Sequence, residues 1–148
     1  METIVIAIDF SNTTDLLLAA ATRMATAHDK IYLVHVAAPD PDFVGYGVGP
    51  QYIRDDRALE LQEEHKLLSA YKQQLNSKGL HAEALLVSGP TVETLLNEVE
   101  KLKATLLIIG RKGHSTLYEV LIGSVCKDVL YKLNIPALLI PEKPNEED

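Results

Sequence analysis

The sequence predicts an α/β protein, a three-layer sandwich with helices on both faces of a five-stranded parallel sheet. Three observations carry this. Five short apolar runs recur along the chain: Ile4 to Ile8, Lys30 to Val36, His81 to Val87, Thr105 to Ile109 and Ala137 to Ile140. The first, IVIAI, is unbroken, as strands buried on both faces of a parallel sheet are. Between the runs lie four stretches with apolar residues at helical spacing, and strands that alternate with helices build parallel sheets through right-handed crossovers.

Bulk properties fit one domain. With 148 residues, 47% hydrophobic and 24% charged, the chain is long enough to bury a core without a disulfide or metal staple. The domain is expected over residues 1–141, and 142–148 form an acidic tail with nothing to bury, expected to be disordered. A formal charge of −7 argues against nucleic acid as a main partner. The single cysteine, Cys126, excludes an internal disulfide and fits a reducing compartment. No basic leader and no long apolar stretch appear, so the expectation is a cytoplasmic protein without membrane insertion.

Taken in order, the first strand ends at Asp9-Phe10-Ser11-Asn12, where Ser11 or Asn12 can cap a helix with Asp15 in its first turn. Leu17, Ala20, Ala21, Met24 and Ala25 give that helix its buried stripe. After the second strand, Ala38 to Tyr52 holds Pro39, Pro41, Gly45, Gly47, Gly49 and Pro50 and reads as a long loop, a flexible lid or linker. Ile53 to Lys78 is a long helix with Leu61, Leu68 and Leu75 at sevenfold spacing, joined by Leu67 and Tyr71, and Gly79 closes it. Ser88-Gly89-Pro90-Thr91 turns into a helix with Val92, Leu95, Leu96, Val99 and Leu102 on one face. In the last helix Val125, Val129, Leu130 and Leu133 face inward until Asn134 and Pro136 end it.

The stretch Leu106 to Val125, LLIIGRKGHSTLYEVLIGSV, carries the chemistry. It reads as strand, glycine-containing loop and helix start. The first N–H groups of a helix lack intrahelical acceptors and face outward with the positive end of its dipole, so they attract phosphate. Arg111 and Lys112 add positive charge. Taken alone, Gly123-Ser124 is equally an ordinary helix cap. The spacing Gly110-x2-Gly113-x9-Gly123-Ser124 matches neither of the two common phosphate-loop signatures.

That spacing resembles the nucleotide-binding signature of the universal stress protein family, and the likeness extends to the first strand, Ile4 to Ser11, and to the last, Pro136 to Pro141. The resemblance implies an adenine nucleotide alpha hydrolase-like fold with strand order 3-2-1-4-5. It implies bound ATP with Mg2+, held by Gly110, Gly113, Gly123, Ser124 and Val125 around the phosphates and ribose, with the loop cation Arg111 and the loop residue His114 added as candidate contacts to the nucleotide. Asp9, with Phe10 and Ser11 beside it, is then tied to the ribose and, indirectly, to the nucleotide-bound metal, and Val36 lies over the adenine. The alternatives stay open: Asp9 as a cap of the first helix, Val36 as a core valine, His114 and Ser115 as exposed loop residues. On strand order 3-2-1-4-5, Asp9 and Gly110 flank one crevice at the reversal between strands one and four, where open α/β sheets bind ligands.

Metal and nucleophile readings are poor. His28, His35, His65, His81 and His114 lack zinc-site pairing, so each reads as a surface or satisfied interior residue. Cys126 lies in a first helical turn, where its pKa can fall, but a small buried hydrophobe is the default. The leading function is an ATP-binding regulatory stress-response module whose nucleotide occupancy sets conformation or assembly. The alternatives are a slow nucleotide hydrolase or transferase, with Glu119 and His114 as its acid–base candidates, and a nucleotide-free interaction module. The family also implies a homodimer through the edge strand Ala137, Leu138, Leu139 and Ile140, with an unnamed regulatory partner beyond it.

Overall fold

The computed structural model describes residues 1–37, 51–111 and 124–142, with side chains from residue 59 onward in the long helix. The elements are β1 (Thr3–Ala7), α1 (Thr14–Met24), β2 (Lys30–Ala37), α2 (Gln51–Asn76), β3 (His81–Ser88), α3 (Thr91–Lys101), β4 (Leu106–Gly110), α4 (Ser124–Lys132) and β5 (Ala137–Ile140). All neighbouring strands pair in parallel, in the order β3-β2-β1-β4-β5. Both the fold class and the strand order expected from the sequence are therefore observed. The expected loop over 38–50 lies outside the described residues, but Gln51 and Tyr52 belong to α2 and not to the loop.

Each strand buries side chains on both faces, so the sheet has two apolar layers. Under α1 and α2 lie Ile4, Ile6, Leu17, Leu18, Ile31, Leu33, Leu68 and Leu75, and under α3 and α4 lie Val5, Val34, Leu95, Val99, Leu107, Ile109 and Val129. Three residues placed inside by periodicity are on the surface: Met24 is 48% exposed, Leu67 44% and Val125 42%. A periodic pattern fixes the centre of a helical stripe better than its margins, and Met24 ends α1 while Leu67 sits one position off the buried Leu68. Leu18, which the stripe omitted, is buried.

The amino ends of the strands are knitted together by polar groups from neighbouring turns. Asp29, just before β2, accepts the Glu2 amide at 2.7 Å on Oδ1 and the Thr26 amide at 2.8 Å on Oδ2. These backbone donors hold its carboxyl below the usual range, the Glu2 contact first and Thr26 next. The Asn76 carboxamide bonds both backbone groups of Ala82, accepting its N–H at 2.8 Å and donating to its carbonyl at 3.3 Å. Gly79, at φ +83°, supplies the left-handed turn between α2 and β3, where a side chain would be strained.

Candidate nucleotide site

β1 and β4 are adjacent, and one cleft opens beyond their carboxyl ends. Chain order reverses here: β1 connects outward to β2 on one side, while β4 leads to β5 on the other. Helices on opposite faces leave the crevice between those two strand ends uncovered. Of the residues expected in the site, Asp9, Ser11, Val36, Gly110 and Val125 line this one cleft. Between them stand Val34, His35, Thr91, Leu95, Ile109 and Cys126, mostly apolar groups suited to a flat ring.

Asp9 does not cap α1. Its Oδ1 accepts the Ser11 amide at 3.0 Å, Ser11 Oγ accepts the Thr13 amide at 3.3 Å, and the helix begins at Thr14. Neither Ser11 nor Asn12 is the cap: that position is Thr13, which makes no side-chain cap bond. The two short turns consume local amides and leave Asp9 half-buried on the cleft wall. Phe10 is absent from the wall among the described residues and packs instead on His35, with ring centroids 4.4 Å apart.

Arg111 has a different engagement from the one expected. Its Nη2 donates to Glu142 Oε1 at 2.6 Å and its Nε to Oε2 at 3.2 Å, a bidentate pair. The Glu142 bonds raise the guanidinium pKa further, and its backbone N–H donates to the Ile140 carbonyl at 2.8 Å. Glu142, assigned to an unstructured tail by composition, is therefore a half-buried partner of the β4 end. A guanidinium bridged to a carboxylate through Nε and Nη2 has its charge already partnered, so it attracts phosphate less than a free loop cation would.

Ser124 is the first residue of α4 and faces an exposed groove shared with Val92, Val125, Lys127, Asp128, Leu130 and Tyr131. Gly113, His114 and Gly123 lie outside the described residues, as do Lys112, Ser115 and Glu119. Val125 departs from the inward stripe because it borders both the cleft and this groove. Cys126, in the same first turn, is buried, and desolvation pushes its thiol pKa up, the reverse of the activation a helix start can give. No group of three or more His, Cys, Asp and Glu suitable for a metal occurs among the described residues.

Sequence reasoning missed His35, Thr13, Thr91 and Leu95 as cleft residues. Periodicity assigns each to a strand or helix, and only the three-dimensional reversal of strand order brings their ends together.

The universal stress protein family model matches residues 1–141. The chain belongs to the universal stress protein family. Among its relatives, the universal stress protein YxiE of Bacillus subtilis is 26% identical over 141 residues, covering 91% of this chain and 95% of that protein. A universal stress protein of Thermus aquaticus is 27% identical over 142 residues, covering 94% and 98%. The structure of MJ0577, a universal stress protein of Methanocaldococcus jannaschii, superposes with a TM-score of 0.84 at 25% identity over 97% of this chain and 98% of that one. A family protein of Arabidopsis thaliana, solved with AMP bound, shares the fold at a TM-score of 0.70 and 18% identity, covering 99% and 97%. No helix among the described residues is long and apolar enough to cross a membrane.

Proposed function

We propose that the chain is an ATP-binding regulatory protein whose nucleotide occupancy controls its conformation or assembly. The observation that carries this is the joint presence of Asp9 and Gly110 on one cleft at the strand reversal. Family membership supports it, as do relatives of the same fold solved with AMP, cAMP and dAMP. Val36, Leu95 and Ile109 offer an apolar bed for adenine, Asp9 an acceptor for ribose hydroxyls, and the start of α4 at Ser124 and Val125 a set of amides for phosphate. Gly113, His114 and Gly123 complete the phosphate loop in this reading.

Magnesium fits as a companion of the phosphates and not as a caged ion. Mg2+ keeps several waters and takes one or two carboxylates plus phosphate oxygens, and Asp9 is the one carboxylate on the cleft wall among the described residues. The ion would neutralise phosphate charge, while this chain's residues orient the sugar and base.

Acid extraction of the purified protein, followed by chromatography of what is released, tests the reading directly. Adenine nucleotide is the expected product. Saturating ATP with magnesium at about one hundred times its Kd should raise stability by about 2.7 kcal/mol. An unmoved melting temperature counts against the site. In the same reading the protein is cytoplasmic and forms a homodimer through β5, whose Ala137, Leu138, Leu139 and Ile140 end the sheet. Sedimentation as a monomer at micromolar concentration refutes that assembly.

A further inference from the structure

One histidine touches both chain neighbours of Asp9. His35 Nδ1 lies 2.6 Å from the carbonyl oxygen of Ile8. A carbonyl only accepts, so Nδ1 carries a proton and donates. The same ring packs on Phe10, centroids 4.4 Å apart and planes at 51°. Phe10 holds φ at +61°, a left-handed conformation that is strained for a bulky residue and persists where the surroundings impose it. Tyr71 of α2 stands beside Phe10 at 6.4 Å. Asp9 is thus held by a hydrogen bond on one side and an aromatic contact on the other, both from one imidazole.

With Nδ1 committed, Nε2 faces α2, where Glu64 Oε2 lies 3.3 Å away. That oxygen is buried and accepts no hydrogen bond among the described residues. A protonated ring offers the carboxylate an opposite charge; a neutral ring turns a lone pair toward it. Among the described residues, the titratable groups near this spot include Tyr71 on α2, Asp15 on α1, whose charge acts on Tyr71, and Asp9 itself. On β3 the residue in register with His35 is the apolar Leu86, and just past β1 the contact is the Ile8 carbonyl.

We propose that His35 and Glu64 form a positioning pair for the Asp9 wall, so that the docking of α2 and the protonation of one imidazole set how tightly the cleft holds nucleotide. The pair rests on the ATP-binding reading, and it ties the helix that follows the 38–50 segment to the mouth of the sheet. His35 acts through its neighbours, and Asp9 makes the contact.

Two measurements on the full chain test this. The first is amide hydrogen exchange at Ser11 and Thr13 without ligand. His35→Ala should speed exchange there by about tenfold or more, the loss expected for a bond of this kind, while His35→Asn, whose amide donates from near the Nδ1 place, should restore most protection. The second is ATP affinity as a function of pH between about 5.5 and 8.5. Wild-type affinity should fall by about tenfold across that span as the Glu64 attraction disappears, whereas Glu64→Gln, able to donate to a neutral Nε2, should bind with a flat profile. Should His35→Ala not fold, Glu64→Gln and His35→Asn still decide the question. Wild-type exchange in His35→Ala, or a Glu64→Gln profile parallel to wild type, sinks the pair. Wild-type protein that takes up no ATP at any pH sinks the nucleotide reading instead, and the exchange data then judge the brace alone.

Discussion

Two aspartates sit at opposite ends of the sheet, and they are used in opposite ways. Asp29, at the amino end of β2, has both carboxylate oxygens bonded to backbone amides, from Glu2 and Thr26, and Thr26 Oγ1 adds a third donor at 3.3 Å. Asp9, beyond the carboxyl end of β1, accepts one bond among the described residues, from the Ser11 amide, and lines a cleft. A carboxylate with both oxygens bonded by its own chain has little left to offer a ligand. One that keeps acceptor capacity at a cavity wall, beside a residue held at positive φ, is disposed to bind. In the proposed reading the foot of the sheet serves stability and the mouth serves contact.

The sharpest way to break this contrast is to damage the foot and look at the mouth. Ile31→Ala, at a fully buried position near the amino end of β2, should lower unfolding free energy by about 2–5 kcal/mol in urea titration. ATP affinity of the folded fraction should be unchanged. Asp9→Asn is the converse. It should weaken ATP by about tenfold or more, as loss of a charged acceptor does, and leave ligand-free stability within about 0.5 kcal/mol. A large stability loss would make Asp9 a second Asp29.

Asp29 sharpens the comparison through pH. Its folded pKa lies below the ordinary aspartate value of 3.8, so its contribution is present above that value and is lost as pH falls through the lowered one. Asp29→Asn should destabilise at neutral pH, since an amide nitrogen cannot accept from the Thr26 N–H, and should flatten the acid limb of the urea midpoint below about pH 4. An unchanged acid limb contradicts the assigned role. The smallest effect concerns Cys126, whose raised pKa keeps it a protonated thiol at neutral pH. Alkylation should be slow in the native protein and slower still with ATP present, because the residue lines the cleft. Mass spectrometry of iodoacetamide-treated protein reads both rates.

How much of this was legible beforehand depends on the range of the interaction. The runs IVIAI and ALLI mark strands because burial on both faces leaves little room for polar residues, and Asp9 shows as a polar stop at the end of one. The neighbourhood of β1 and β4 is not written in periodicity; it came from the family resemblance, which the observed order matches. Arg111 reads as a loop cation because its partner, Glu142, lies 31 residues away across β5. His35 was passed over for the same reason. Its partners, Ile8 and Glu64, come from a neighbouring strand and a covering helix. Local pattern reports what a residue does to its own element, whereas both of these act between elements.

The Asn76 side chain has a consequence for how copies of this protein can meet. Both backbone groups of Ala82 point away from β2, toward the open margin of the sheet, and the carboxamide occupies them as a neighbouring peptide would. With Glu83 paired to Lys30 and Lys72 alongside, that margin is blunted by a dead-end graft and by charge. Growth of the sheet by an incoming chain is thereby discouraged at β3, a margin that would otherwise offer its unpaired backbone as a template for open-ended stacking.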